Sequence, residues 1–333
     1  MRDSFAYVGN ETVGSMVEAR LGALGYVRAS DVGSARTVVT YCTSQTALED
    51  AYFDEGGLVQ AAAAGTLLVD LSPSTPGFAR ELNAVAAVSD LMAVEAPLAV
   101  VDPVRADAFS DKGNLVCFAA GDEDALAAAR PVLEAVAGSV RDMGGAGAGQ
   151  LARAAWTLQT TAQIVSAVEA DALYRAVRRS SSPFGEEALR VGAAAPLAES
   201  VLVAVDEGRF DGGYTVEMFM AELSAALTAA DDADLILPQA EACLHLLELL
   251  AVIGGSDKAP SALALVYGEE AACAEQGLDW TRAESAFGEG NDEDGSDDGC
   301  EEGCDADGCG CGHAHSGYRD YPDYPGYGAY SAN

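Results

Sequence analysis

Up to Gly144 the chain alternates short apolar runs with stretches of helical spacing. Residues 5–9 read as a short buried strand ending at a glycine. Val13, Met16, Val17, Leu21 and Leu24 then recur at helical spacing and predict a helix over residues 13–24. Residues 26–29 read as a second strand, and the β-branched run 37–42 as a third. Four more strands are expected at 67–71, 91–94, 116–120 and 139–142, with helices at 76–88 and 124–136. Strands alternating with helices in this way predict a mostly parallel sheet covered by helices on both faces.

After Gln150 the alternation stops. Residues 151–178 form one long Ala-rich helical stretch, and Ser180-Ser181-Ser182-Pro183 ends it. Further helical periodicity is expected at 186–191, 196–207, 216–229, 238–253 and 261–275, and no strand is expected there. Residues 289–333 are rich in Gly, Asp, Glu, Tyr and Cys and nearly free of aliphatic side chains, so they predict a disordered tail. The expected organisation is therefore an α/β domain over 1–148, an all-helical domain over 149–287 suited to substrate binding and dimerisation, and a tail over 288–333.

Charge narrows the partners. The 53 acidic and 18 basic side chains of the 333-residue chain leave a formal net charge of −35. Such a chain is repelled by phosphate backbones and by anionic lipid, so neither nucleic acid nor membrane is expected as a partner. No apolar run is long enough to span a bilayer; the longest, 244–253, carries His245 and Glu248. The start runs straight into a strand with no apolar leader, and the cytoplasm is the expected compartment. Cys42, Cys117, Cys243 and Cys273 sit in apolar segments and read as small buried hydrophobes. His245, inside an apolar helical run, reads as a packed core or interface residue.

Two glycine turns carry candidate chemistry. Gly9-Asn10-Glu11-Thr12-Val13-Gly14 joins the first strand to the first helix, where a doubly wound fold seats a pyrophosphate on a helix N-terminus. The first and third glycines of the G-x-G-x-x-G pattern are present, and the middle one is Glu11. The second turn, Gly144-Gly145-Ala146-Gly147-Ala148-Gly149-Gln150-Leu151-Ala152-Arg153, leads into the long helix.

This second segment resembles the catalytic segment of the β-hydroxyacid dehydrogenases, the family of 3-hydroxyisobutyrate and 6-phosphogluconate dehydrogenases. The likeness runs from about Thr37 to about residue 275. Gly65-Thr66-Leu67-Leu68-Val69-Asp70-Leu71-Ser72-Pro73-Ser74-Thr75-Pro76 resembles the family's G-T-x-x-I-D-x-S-T-x-x-P segment. Glu95-Ala96-Pro97 stands where the family has D-A-P, and Phe219-Met220-Ala221-Glu222-Leu223 with Leu237-Pro238 resembles its F-x-x-x-K-D-L and L-P elements. The resemblance implies a Rossmann-like domain binding NAD or NADP, followed by a helical domain, in a homodimer acting on a small carboxylate. It implies cofactor contacts at Gly9, Asn10, Gly14, Cys42 and Thr43. It implies substrate contacts at Ser72, Thr75 and Gln150, and a catalytic position at Arg153.

The chain also departs from the family. Between the second strand and Thr37, one helix–strand–helix segment is missing, so the cofactor domain is expected to be shortened. The family's lysine is Arg153, which can orient an oxyanion but is a poor general base. The serine and glycines of D-A-P-V-S-G-G are replaced by Ala99-Val100-Val101, and the lysine of K-D-L is Ala221. The chain has two lysines, Lys112 and Lys258, both outside these motifs. Two readings follow: an NAD(P)-dependent oxidoreductase of this type, or a non-catalytic descendant serving as a binding or scaffold protein. In the tail, Cys300, Cys304, Cys309, Cys311, His313 and His315 gather soft ligands suited to zinc or nickel. The alternative there is a solvating low-complexity tail.

Overall fold

The computed structural model describes residues 3–180 and 196–287. The expected helix at 186–191, the tail and its six candidate metal ligands lie outside the described residues. Among the described residues no group of three or more His, Cys, Asp or Glu is placed to hold a metal ion.

The first half is one mixed sheet. Its strands are β1 (Ser4–Gly9), β2 (Val27–Arg28), β3 (Thr37–Tyr41), β4 (Leu67–Asp70), β5 (Met92–Glu95), β6 (Leu98–Val100), β7 (Leu115–Gly121) and β8 (Ser139–Gly144). Their order is β2-β1-β3-β4-β5-β7-β6, with β8 also on β7. The run from β2 to β5 is parallel, β5 and β6 pair antiparallel to β7, and β8 is parallel to β7. β3 and β4 are buried at every position, which explains their apolar and β-branched residues up to Asp70, the buried acid that ends β4.

The expected shortening between the second and third strands has a simple geometric basis. β2 ends at Arg28 opposite Phe5, and β3 begins at Thr37, also opposite Phe5. No strand length has to be retraced between them. Residues 29–36, with a single helical turn at Val32–Ser34 capped by Asp31, therefore complete a crossover that ordinarily needs a dozen residues or more. The expected second strand of residues 26–29 is only two residues long for the same reason.

Helices α1 (Glu11–Ala23), α2 (Gln45–Phe53), α3 (Leu58–Ala61), α4 (Pro76–Val88) and α5 (Glu123–Val136) cover the sheet. The second half is built on α6 (Ala148–Ser180), against which α7 (Pro196–Asp206), α8 (Val216–Asp231) and α9 (Pro238–Leu250) pack. The helical run expected over 261–275 is broken into a turn at Pro260–Ala262, α10 (Leu263–Val266) and α11 (Glu270–Glu275), and α12 (Thr281–Phe287) follows. The chain leaves helical geometry at Tyr267 and Gly268 between α10 and α11.

One apolar core runs from Phe5, Val17 and Leu133 through Ile164 to Phe219 and Leu247, and the described residues form one compact unit. Cys42, Cys117, Cys243 and Cys273 are buried free thiols. The core reading of His245 is a correction: its side chain is 78% exposed in this chain and Nδ1 meets Glu248 at 3.0 Å. Cys243, Leu247 and Leu250 turn the other face of α9 inward and leave His245 in solvent. No single helix among the described residues is long and apolar enough to cross a bilayer.

Candidate active site

The first glycine turn is built as its sequence requires. Gly9 has φ +123°, and a Cβ there would lie 2.0 Å from the Tyr41 carbonyl oxygen, so only glycine lets β1 end against β3. Gly14 lies flat on the Tyr7 ring, where a Cβ would come within 2.5 Å. The turn sits where β2 and β3 leave opposite sides of β1, the reversal of strand order at which such sheets take ligands. Asn10 caps α1: its Oδ1 accepts from Thr12 N at 3.0 Å and Val13 N at 3.2 Å. An incoming phosphate would have to displace that carboxamide. Glu11, exposed in the first turn of α1, adds a negative charge beside the same amides.

At the carboxyl end of β4 a hydrogen-bond chain shapes the next loop. Asp70 is buried; its Oδ1 accepts from Thr40 Oγ1 at 3.0 Å and from Ser72 N at 3.0 Å. Burial pushes its carboxyl up to about 6 despite those bonds. Ser72 Oγ in turn accepts from Cys42 N at 2.9 Å. Gln150 reaches down from α6, donating to Ser72 O at 3.0 Å and accepting from Ser74 N at 3.0 Å. Thr75 caps α4 by accepting from Phe78 N at 3.1 Å. Ser72 and Gln150 thus cross-link backbone and shape the loop. Gln150→Leu would leave the Ser74 amide and the Ser72 carbonyl unpaired inside the protein. It is expected to cost about 1–3 kcal/mol, read as a lowered urea midpoint with unchanged slope.

The second glycine turn is explained by a residue outside it. Glu95, buried at the end of β5, accepts at Oε1 from Gly147 N at 2.6 Å and Gly149 N at 3.0 Å. A Cβ on Gly149 would meet the Phe118 carbonyl oxygen at 2.4 Å, so α6 can start this close to the sheet only on glycine. Burial raises the Glu95 carboxyl to about 7, against the pull of the Gly149 and Gly147 amides. Its Oε2 is buried without a protein partner.

Arg153 is 3% exposed and spends its donors inside the protein. Nε donates to Leu98 O at 3.1 Å, Nη1 to Thr157 Oγ1 at 2.6 Å, and Nη2 pairs with Glu222 Oε2. Tyr214 Oη donates to the same Glu222 oxygen at 2.5 Å. Burial opposes the charge on Arg153, but the Glu222 carboxylate more than restores it and holds the guanidinium above its ordinary value. Glu222 and Glu95 are two central residues that the sequence reading quotes inside motifs without giving either a role. The available signal was an acid inside an apolar run, Val94-Glu95-Ala96 and Phe219-Met220-Ala221-Glu222-Leu223.

A cavity of about 300 Å³ opens beyond the carboxyl ends of β3 and β4. Thr43, Ser44, Gln45, Pro73 and Thr75 line its sheet side; Glu217, Met220, Ala221 and Ser224 of α8 face them. Of the sequence-predicted residues, Thr43 and Thr75 line this cavity. Cys42, Ser72 and Gln150 stand behind it, and the Gly9–Gly14 turn and Arg153 are not part of its wall.

Residues 9–145 match the family profile of the NAD binding domain of 6-phosphogluconate dehydrogenase. Over 239 residues the chain is 28% identical to the NAD-dependent L-serine dehydrogenase of Pseudomonas aeruginosa, covering 68% of this chain and 77% of that one. It is 27% identical over 255 residues to the 2-hydroxy-3-oxopropionate reductase of Escherichia coli, covering 73% and 82%. In fold it resembles the 3-hydroxyisobutyrate dehydrogenase of Mycobacterium tuberculosis, solved with L-serine. That TM-score is 0.62 at 22% identity, over 81% of this chain and all of the other.

Proposed function

Because the chain belongs to the β-hydroxyacid dehydrogenase family of NAD(P)-dependent oxidoreductases, we propose that it interconverts a small hydroxy compound and its carbonyl form in the 300 Å³ cleft. The observation that carries this reading is the cleft's place, at the carboxyl ends of β3 and β4 beside the strand-order reversal.

The residues present fit a dinucleotide at the turn and in the cleft. Gly9 and Gly14 give the tight turn and close helix packing, and the α1 amides of Thr12 and Val13 are the phosphate donors once Asn10 yields them. A nicotinamide held there would supply hydride transfer to or from the carbinol carbon, both electrons moving with the hydride and the hydroxyl proton being exchanged with solvent. Thr43 and Thr75 offer hydroxyls to the bound molecules. Ser72 and Gln150 are positioning residues, holding the loop that carries Thr75. Arg153 stays protonated near neutral pH and so neither gives nor takes a proton, and its role is to fix α6 against Leu98 and α8.

Titrating NADH and NADPH into the full chain, followed by nicotinamide fluorescence and calorimetry, tests the reading. Saturable binding is expected; its absence at millimolar cofactor would favour the non-catalytic binding or scaffold alternative. Glu11→Gln removes a carboxylate from beside the phosphate amides and is expected to tighten cofactor binding about tenfold at low salt. The same change should slightly lower stability, because an acid in the first turn suits the helix dipole. Equal affinity in parent and variant would place the pyrophosphate elsewhere.

A further inference from the structure

We propose that the chain holds its nicotinamide cofactor by the nicotinamide and phosphate end and leaves the adenosine ribose unread. NAD(H), NADP(H) and reduced nicotinamide mononucleotide are then accepted alike. This rests on the oxidoreductase reading above and deepens it at the other end of the cofactor.

In a doubly wound fold the 2′ position of that ribose is read at the carboxyl end of the second strand. An acid about 20 residues past the glycine turn takes the 2′-hydroxyl, or an arginine nearby takes the 2′-phosphate. Counted from Gly9 and Gly14, that position falls in residues 29–34, and Asp31 is the acid there. The fold puts these residues to another use.

β2 stops short of the turn. Its last register pair is Arg28 with Phe5, and Ala29 N then donates to Phe5 O at 2.8 Å. Gly9 lies four residues further along β1, about 13 Å away at roughly 3.3 Å per residue. Burial marks the same boundary: Phe5 and Ala6 are buried, Tyr7 and Val8 half-buried, and Gly9 exposed.

The crossover after β2 is tied to the amino ends of the strands, away from the turn. Ser4 Oγ donates to Ser34 O at 3.2 Å, and Arg36 N donates to Ser4 O at 3.1 Å. Thr66 Oγ1, just before β4, donates to Ala35 O at 3.2 Å. Asp31 spends both carboxylate oxygens on its own turn: Oδ1 accepts from Ser34 N at 2.9 Å and Oδ2 from Ser30 Oγ at 2.8 Å.

The cations are placed no better for a 2′-phosphate. From Gly9 to Arg36 they are Arg20, Arg28 and Arg36. Arg28 pairs with Glu18 of α1, and Arg36 stands just before the amino end of β3. Arg20 donates to the carbonyls of Val136, Phe109 and Ser110. Among the described residues that line the cleft there is no Lys, Arg or His. The 2′-hydroxyl therefore gains no partner and the 2′-phosphate no cation, so the group that distinguishes the two cofactors stays in water.

Calorimetry and nicotinamide fluorescence on the full chain test this at physiological salt, where charges more than about 8 Å away are screened. NADH and NADPH are expected to bind within about threefold of each other. Reduced nicotinamide mononucleotide, which lacks the adenylate, is expected within about tenfold of NADH. Arg28→Ala and Asp31→Asn change exposed residues and should leave the ratio of NADH to NADPH affinity where it is.

A preference beyond about threefold for either dinucleotide overturns the inference and leaves the oxidoreductase reading intact. So does a shift of that size in either variant, or a mononucleotide that binds more than about tenfold weaker than NADH. If none of the three binds, the oxidoreductase reading falls and the inference with it.

Discussion

Arg153→Ala is expected to destabilise the protein by about 3–5 kcal/mol, the cost of removing one partner from a buried ion pair. The argument turns on what is left behind. Glu222 is 3% exposed, and its Oε1 already has no protein partner. Without the guanidinium its carboxylate keeps one hydrogen bond, from Tyr214, and must either stay charged in the core or take up a proton. The Leu98 carbonyl and the Thr157 hydroxyl lose their donor as well. Replacing both partners by apolar groups of similar volume, as in Arg153→Met with Glu222→Leu, removes the stranded charge. That double variant should recover most of the loss, because the pair's attraction is largely spent on desolvating its members. Urea unfolding of the two single variants and the double variant closes the cycle. If Arg153→Ala unfolds at the parental midpoint, Arg153 is not the buried partner of Glu222 in solution.

The same pair shows where sequence and structure part company. Long segments with a strong period were legible: the β-branched run of β3 is buried at every position, and the Ala-rich α6 exceeds any loop or strand. Short elements were not. β6 has three residues, too few for a period, and α2 buries only Leu48 and Tyr52, so its apolar face is faint. The core reading of His245 failed because an apolar run on a helix does not say which face each residue takes. The two glycine turns were recognisable as turns, but their purpose lay elsewhere. Gly149 is required by a carbonyl from β7 and Gly147 by its φ of +94° beside the Pro76 carbonyl, while the amides of both are taken by a carboxylate from β5. Arg153 was visible as a departure, yet nothing local to it names Glu222. Tertiary pairing of buried charges is set by how the helices cross, and one sequence does not encode that in any local pattern.

Buried acids also give the stability a pH dependence opposite to that of most carboxylates. Glu95 titrates at about 7 in the folded chain against an ordinary 4.5, and Asp70 at about 6 against 3.8. The folded state therefore binds more protons than the unfolded state between about pH 4 and 7, and stability falls as pH rises through that window. Each group contributes on the order of 3 kcal/mol, fully present below its unfolded value and lost above its folded one. Repulsion among the many surface acids acts in the same direction, so a control is needed to isolate the core. Glu95→Gln is that control. The amide oxygen can still accept from Gly147 and Gly149, while the charge that burial penalises is gone. The variant should lie close to the parent near pH 5, exceed it by pH 8, and keep only about a third of the slope that the two buried acids supply between them, Asp70's share, on top of the slope from the surface acids. Urea midpoints at pH 5, 6, 7 and 8 measure it, and a Glu95→Gln profile parallel to the parent's would mean that Glu95 is already ionised throughout that range.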